Sequence, residues 1–158
     1  NISLSSTSIE ELPFLDNSFD AVFSYSVLYY TDFKKTVKEF YRVLKPGGTL
    51  YSSVIGLGWC LNRILTNENF TSENNVRNFA INTLLSSINY FFSGQQRKGR
   101  SIALTQNWFN KYLKSIGFKN IISAPEGNIN LDKNLKTQSF YKPKYMNLSN
   151  VFEILAEK

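Results

Sequence analysis

The stretch EFYRVLKPGGTLYSSVI, residues 39–55, leaves the chain few ways to fold. Phe33, Val37, Phe40, Tyr41 and Leu44 recur at helical spacing and share one face, while Lys34, Lys35, Lys38 and Arg42 take the other. Asp32 stands where an N-cap belongs, since its short carboxylate can accept a first-turn N–H that the helix itself leaves unpaired. At the other end Lys45 suits the negative pole of the helix dipole, and Pro46 cannot continue the helix. Gly47 and Gly48 admit positive φ with no Cβ penalty. TLYSSVI then reads as a strand, and upstream FDAVFSYSV is the nearly continuous apolar run expected of a strand covered on both faces. Strand, amphipathic helix, sharp stop and strand make a βαβ unit, whose crossover is expected to be right-handed.

A second helix-to-strand unit follows downstream. Thr105 can cap a helix carrying Trp108, Phe109, Tyr112, Leu113 and Ile116, Gly117 ends it, and FKNIISA reads as a strand. The alternation is that of an α/β fold. Between the two units Gly56 to Leu104 is an insertion of about fifty residues, against a usual connection of about six, so it needs structure of its own. Its apolar positions predict two helices over the sheet's edge. One carries Leu57, Leu61, Ile64 and Leu65; the other carries Ile81, Leu84, Leu85, Ile88, Phe91 and Phe92 as its packing stripe or as a dimer face. GLG at 56–58 reads as a flexible turn, since Leu61 stands where a phosphate loop would need its third glycine. Pro125 to Met146 is a long polar connection, and VFEILAEK closes the chain as a strand. The domain division is therefore 1–55 with 105–158, and 56–104 as a helical cap.

SIEELPFLDNSFDAVFSYSVLYY followed by EFYRVLKPGGTLYSSV resembles the second half of the class I S-adenosylmethionine-dependent methyltransferases, in particular the small-molecule methyltransferase group. The resemblance implies a partial Rossmann-like sheet, strands 3–7 of a 3-2-1-4-5-7-6 order with the seventh antiparallel. NISLSS would be strand 3, FDAVFSY strand 4, TLYSSVI strand 5, FKNIISA strand 6 and VFEILAEK strand 7. Strands 1 and 2, with the glycine-rich loop that cradles the methionine end of the donor, have no counterpart in these 158 residues. The chain accordingly reads as a piece of something longer, inactive by itself, with residues 1–12 displaced or mobile for want of a neighbouring strand. The resemblance also implies S-adenosylmethionine as cofactor. Ser8 falls where a side chain reaches the adenine amino group, and Ile9 where a backbone N–H faces the ring. Ser24, Tyr25 and Ser26 fall on the segment lining the methionine portion and methyl group. Tyr29 and Tyr30 would touch the acceptor, Tyr30 replacing a frequent family histidine.

Composition narrows the chemistry. Histidine is absent, which removes the commonest general base and zinc ligand together, and Cys60 has no partner for a disulfide. A tyrosine near its ordinary pKa is a poor base at neutral pH, so no catalytic base is assigned. The donor is already activated, and alignment is the protein's main task. No run of about 18 apolar residues occurs, so a transmembrane span is not expected. The expected setting is the cytoplasm, with a small-molecule acceptor and self-association through the insertion. Two other readings stay open: a non-catalytic module that binds a partner chain through the insertion, and a nucleic-acid-modifying enzyme. The net charge of +6, concentrated between Gly94 and Lys119, favours the latter only weakly, and steep salt dependence of binding would be its mark.

Overall fold

The computed structural model describes residues 4–66, 76–96, 99–131 and 138–158. Its elements in chain order are β1 (Phe19–Ser24), α1 (Phe33–Val43), β2 (Leu44–Ile55), α2 (Leu57–Leu65), α3 (Val76–Ser93), α4 (Gln106–Ile116) and β3 (Lys119–Pro125). The two-residue strands β4 (Lys144–Tyr145) and β5 (Leu148–Ser149) and the closing strand β6 (Val151–Glu157) follow. The main sheet runs β1-β2-β6-β3. β1 and β2 are parallel, with Val22 opposite Leu50 and Ser24 opposite Ser52, and β6 is antiparallel to both of its neighbours. This is the expected α/β sheet in the order 4-5-7-6. The strand expected at residues 1–6 does not form where the chain is described: residues 4–6 are exposed and outside any strand, and 1–3 lie outside the described residues. With no adjacent strand to pair its N–H and C=O groups, that segment gains nothing from extending, and β1 is an edge of the sheet.

α1 and α4 bury their apolar stripes on one sheet face. Phe33, Val37 and Phe40 of α1 and Phe109 and Leu113 of α4 meet Leu50, Val54, Phe152 and Ile154 in a single core. The caps are those the sequence predicts, Asp32 accepting from Lys35 N at 3.3 Å and Thr105 from Trp108 N at 3.4 Å, with Gly117 at φ 120° ending α4. The helix stop differs in detail. α1 already ends at Val43, so the KPGG segment bulges within β2, between the register pairs Phe19–Leu44 and Ala21–Thr49. Gly47 takes φ 78° as expected; Gly48 does not, and is required instead by close approach, since a Cβ there would meet Lys45 O at 2.8 Å and Asp20 O at 3.1 Å.

Among the described residues the insertion contributes two helices, α2 and α3. They meet the rim where β2 ends and β6 begins through a second core containing Ile55, Trp59, Cys60, Ala80 and Val151, and Tyr90 of α3 reaches the first core. The base of the insertion is pinned shut by a bridge from Gly56 to Leu104, whose N–H donates to Ile55 O at 3.1 Å. Gly56 and Gly58 are thus sites of close backbone approach, not a flexible turn. Of the two roles expected for the α3 stripe, packing is not the one Leu85, Ile88 and Phe92 take: they are exposed, Leu84 alone of the stripe packs on the second core, and Ala80, Thr83, Ser87 and Tyr90 are buried instead. The small side chains win the interior because the 102–104 segment runs close beneath them, its Ala103 N–H donating to Ser87 Oγ at 2.8 Å. Cys60 is wholly buried, and burial pushes its thiol up to about 12, so it is no nucleophile at neutral pH.

Candidate functional site

Because β1 and β2 are parallel, Ser24 and Ile55 end on the same rim, and the chain leaving β1 must turn there. Ser26 makes the turn in the left-handed region at φ 57°, a conformation few side chains adopt, and its N–H donates to Ser53 Oγ at 2.8 Å. A 3-10 turn at Leu28–Tyr30 follows, buried through Leu28, and it carries Tyr29 and Tyr30 to the surface beside the insertion. Ser26, Tyr29 and Tyr30 together with Trp59, Phe79 and Tyr141 line a cavity of about 290 Å³, completed by Ile55, Val76 and Val151. Three separate pieces of chain therefore build one site: the exit of β1, the insertion helices, and the connection before β4. Arg63 of α2 sits behind two of the rings, its guanidinium carbon 5.8 Å from the Trp59 centroid and 5.6 Å from that of Tyr141.

Tyr141 is held in place by a buried carboxylate. Glu126 accepts from the N–H groups of Phe140 and Tyr141, each at 3.0 Å, and from the phenol of Tyr25. Neighbouring Glu153, also buried, accepts from Gly127 N at 2.7 Å and Ile129 N at 3.1 Å. Burial and the Glu126 carboxylate push the Tyr25 phenol upward, so it stays protonated and donates. Burial raises Tyr29 likewise, reinforced by its hydrogen bond with Tyr30. Neither phenol is a base at neutral pH.

The turn containing Ser8 and Ile9 closes through Glu11 N–H to Ser8 O at 3.2 Å. It joins the rim indirectly, for Glu10 and Tyr30 line a second cavity, and Glu10 Oε1 accepts from Asp32 N at 2.8 Å. Its position is set by Arg42, expected on the solvated face of α1 but instead using every donor of its fork: Nε and Nη2 on Glu39, Nη1 on Phe14 O at 2.7 Å and Asp16 at 2.8 Å, and Nη2 also on Leu12 O at 2.9 Å. Glu39 in turn accepts from Leu12 N at 2.8 Å, and the guanidinium holds its carboxyl below the usual carboxylate range.

Of the predicted residues, Ser26, Tyr29 and Tyr30 share the first cavity. Ser24 does not line it: it is buried at the strand end with no partner for its hydroxyl among the described residues. Tyr25 turns toward Glu126, and Ser8 and Ile9 belong to the neighbouring turn. Trp59 escaped sequence reading because it stands in a predicted helix but off the Leu57, Leu61, Ile64 and Leu65 stripe, and Phe79, Tyr141 and Glu126 because they lie outside every periodic stretch.

Residues 2–52 match the family described as "Methyltransferase domain". Over 51 residues the chain is 49% identical to the ubiquinone/menaquinone biosynthesis C-methyltransferase UbiE of Haemophilus ducreyi, an overlap of 32% of this chain and 20% of that protein. Among solved structures, a SAM-dependent methyltransferase of Thermotoga maritima superposes with a TM-score of 0.53 at 16% identity, covering 96% of this chain and 62% of that one. Phosphoethanolamine N-methyltransferase 2 of Haemonchus contortus, in complex with S-adenosyl-L-methionine, superposes with a TM-score of 0.53 at 19% identity, covering 96% of this chain and 36% of that one. The matched stretch thus spans about a fifth of the UbiE relative's length, and the structural similarity is one of fold.

Proposed function

We propose that this chain carries the carboxyl-terminal side of a class I S-adenosylmethionine-dependent methyltransferase domain and serves methyl transfer from S-adenosylmethionine to a small molecule held in the rim cavity, a reading supported by the family match over residues 2–52 and the shared fold. The carrying observation is the place of that cavity: it opens at the carboxyl ends of two parallel strands, where open α/β sheets bind their ligands, and it is lined by the residues that leave β1. One polar group at the positions assigned to the donor, the buried Ser24 hydroxyl, has no partner among the described residues, and a polar ligand would satisfy it. Ser8 uses one lone pair on Glu10 N–H at 3.2 Å and keeps another for an adenine amino group.

The sulfonium, when bound, supplies an activated methyl group. What these residues contribute is alignment and shielding. The left-handed turn at Ser26 fixes the floor of the acceptor cavity beside the strand end, while α2, α3 and Tyr141 wall it from water, which strengthens electrostatic contacts inside. The protonated phenol of Tyr29, in the cavity wall, can orient a nucleophile by hydrogen bonding and does not abstract its proton, while Tyr25 spends its own proton on Glu126. The test is a titration of the isotope-labelled chain with S-adenosylmethionine followed by NMR. Amide shifts should centre on Ile9 and on Tyr25–Ser26, saturating only at millimolar donor because the glycine-rich loop is not among these residues. Shifts confined to other regions, or none, would refute the reading.

No helix among the described residues is long and apolar enough to cross a membrane. The exposed stripe Leu85, Ile88 and Phe92 on α3, flanked by Asn82, Ser86 and Asn89, supports self-association through the insertion. Light scattering should show mass rising with concentration for this chain and a monomer for Leu85→Glu; a monomer throughout for the unaltered chain would end that proposal.

A further inference from the structure

Five rings face the rim cavity, and what they are built to hold is set by the groups behind and between them. Tyr29 and Tyr30 lie 4.2 Å apart, Tyr30 and Phe79 6.1 Å, and Trp59 meets Phe79 edge-on at 5.9 Å. Such an aromatic wall could receive a cation or a ring. Two observations separate the cases. One face each of Trp59 and Tyr141 is engaged by the Arg63 guanidinium, which does not itself line the cavity, so a ligand cation on those rings would meet like charge across them. None of the nine lining residues is charged, so an anion would lose its water with no counter-charge in contact. The polar side-chain groups of the lining are the hydroxyls of Ser26, Tyr29, Tyr30 and Tyr141 and the Trp59 indole N–H, suited to one hydroxyl or carbonyl on the ligand. At about 290 Å³ the space stands at the lower end of ligand pockets, enough for one or two fused rings.

We infer that the cavity takes a neutral, planar aromatic molecule of one or two rings bearing a hydroxyl or carbonyl. That this molecule is the methyl acceptor rests on the reading of the preceding subsection; that the cavity binds it does not. The ring packs against the wall that Phe79 and the Tyr29–Tyr30 pair form together, and its oxygen meets the Ser26 side of the rim.

The experiment needs no donor. Phenol and 2-naphthol are titrated into the chain, with decahydro-2-naphthol, tetramethylammonium and 2-naphthoate as comparisons, and the Trp59 indole N–H is followed by NMR with Trp108, half-buried against the main core, as internal control. At least one of the two aromatic alcohols should saturate and move Trp59 alone. It should bind at least tenfold more tightly than the saturated, cationic or anionic comparison. Phe79→Ala should weaken it about tenfold, and Tyr30→Ala, at a side chain 59% exposed and so removable without unfolding, should weaken it severalfold. Tighter binding of tetramethylammonium, equal binding of the saturated alcohol, or no saturable shift with either aromatic alcohol overturns the inference. If rings bind while S-adenosylmethionine shifts no amide of Ile9, Tyr25 or Ser26, the methyltransferase reading fails and the cavity assignment stands. The reverse pattern separates them the other way.

Discussion

Phe33→Ala is expected to lower unfolding free energy by about 4 kcal/mol, within the range of roughly 3–5 kcal/mol measured for deleting a buried phenyl ring. Phe33 is 1% exposed and makes edge-on contacts with Tyr90 at 5.6 Å, Trp108 at 5.4 Å, Phe109 at 6.2 Å and Tyr112 at 5.6 Å. Those partners come from two different helices, α3 and α4, so the site cannot collapse onto the smaller side chain without moving both. A domain of this kind holds only about 5–15 kcal/mol in total, and the variant should unfold at a far lower urea concentration. Phe92→Ala supplies the contrast: the same chemical change at a side chain 90% exposed should alter stability by no more than about 0.5 kcal/mol. Comparable losses for the two variants, or a loss under about 1 kcal/mol for Phe33→Ala, would mean that α3 is not anchored on this ring. Since α3 also carries Phe79 into the cavity, the same variant should weaken ring binding well before it unfolds.

Much of this architecture was legible from local rules. Asp32, Thr105 and Gly117 bound their helices where capping chemistry puts them, and FDAVFS and TLYSSVI pair in parallel as two apolar runs joined by an amphipathic helix must. The misreadings share a physical cause, which is that they depend on contacts distant in sequence. Periodicity shows that α3 has an apolar stripe, but which face is buried is decided by the Ala103 segment, close enough to need Ala80, Thr83 and Ser87. Arg42 looked like one more solvated cation at i+4 from Lys38, and the return of the 12–16 segment to α1 supplies three of its five acceptor contacts, Glu39 the other two. The site divides in the same way. Ser26, Tyr29 and Tyr30 follow a recognisable strand and were within reach; Trp59, Phe79 and Tyr141 arrive from the insertion and from the connection before β4, where no pattern announces them.

Gly58→Ala sets two such levels against each other. Gly58 is the second residue of α2, and helix propensity alone predicts that alanine there should stabilise the protein by up to about 1 kcal/mol. The packing opposes this. A Cβ at Gly58 would stand 2.2 Å from Leu148 O, 2.8 Å from Leu148 C and 2.8 Å from Ser149 O, all backbone atoms that cannot rotate away as a side chain would. Nor can the backbone of β5 withdraw freely, because Gly56 N donates to Asn150 O at 2.6 Å and β6 begins at Val151. Overpacking of this kind costs about 1–3 kcal/mol, sometimes more, and exceeds the propensity gain. The expected net result is a loss of about 2 kcal/mol in urea unfolding. A displaced α2 would also move the adjacent Trp59, so ring binding should weaken in protein that remains folded. A stabilised Gly58→Ala variant with unchanged ring affinity would show that the β4–β5 hairpin yields to α2, and that the wall it gives the cavity is not fixed by this contact.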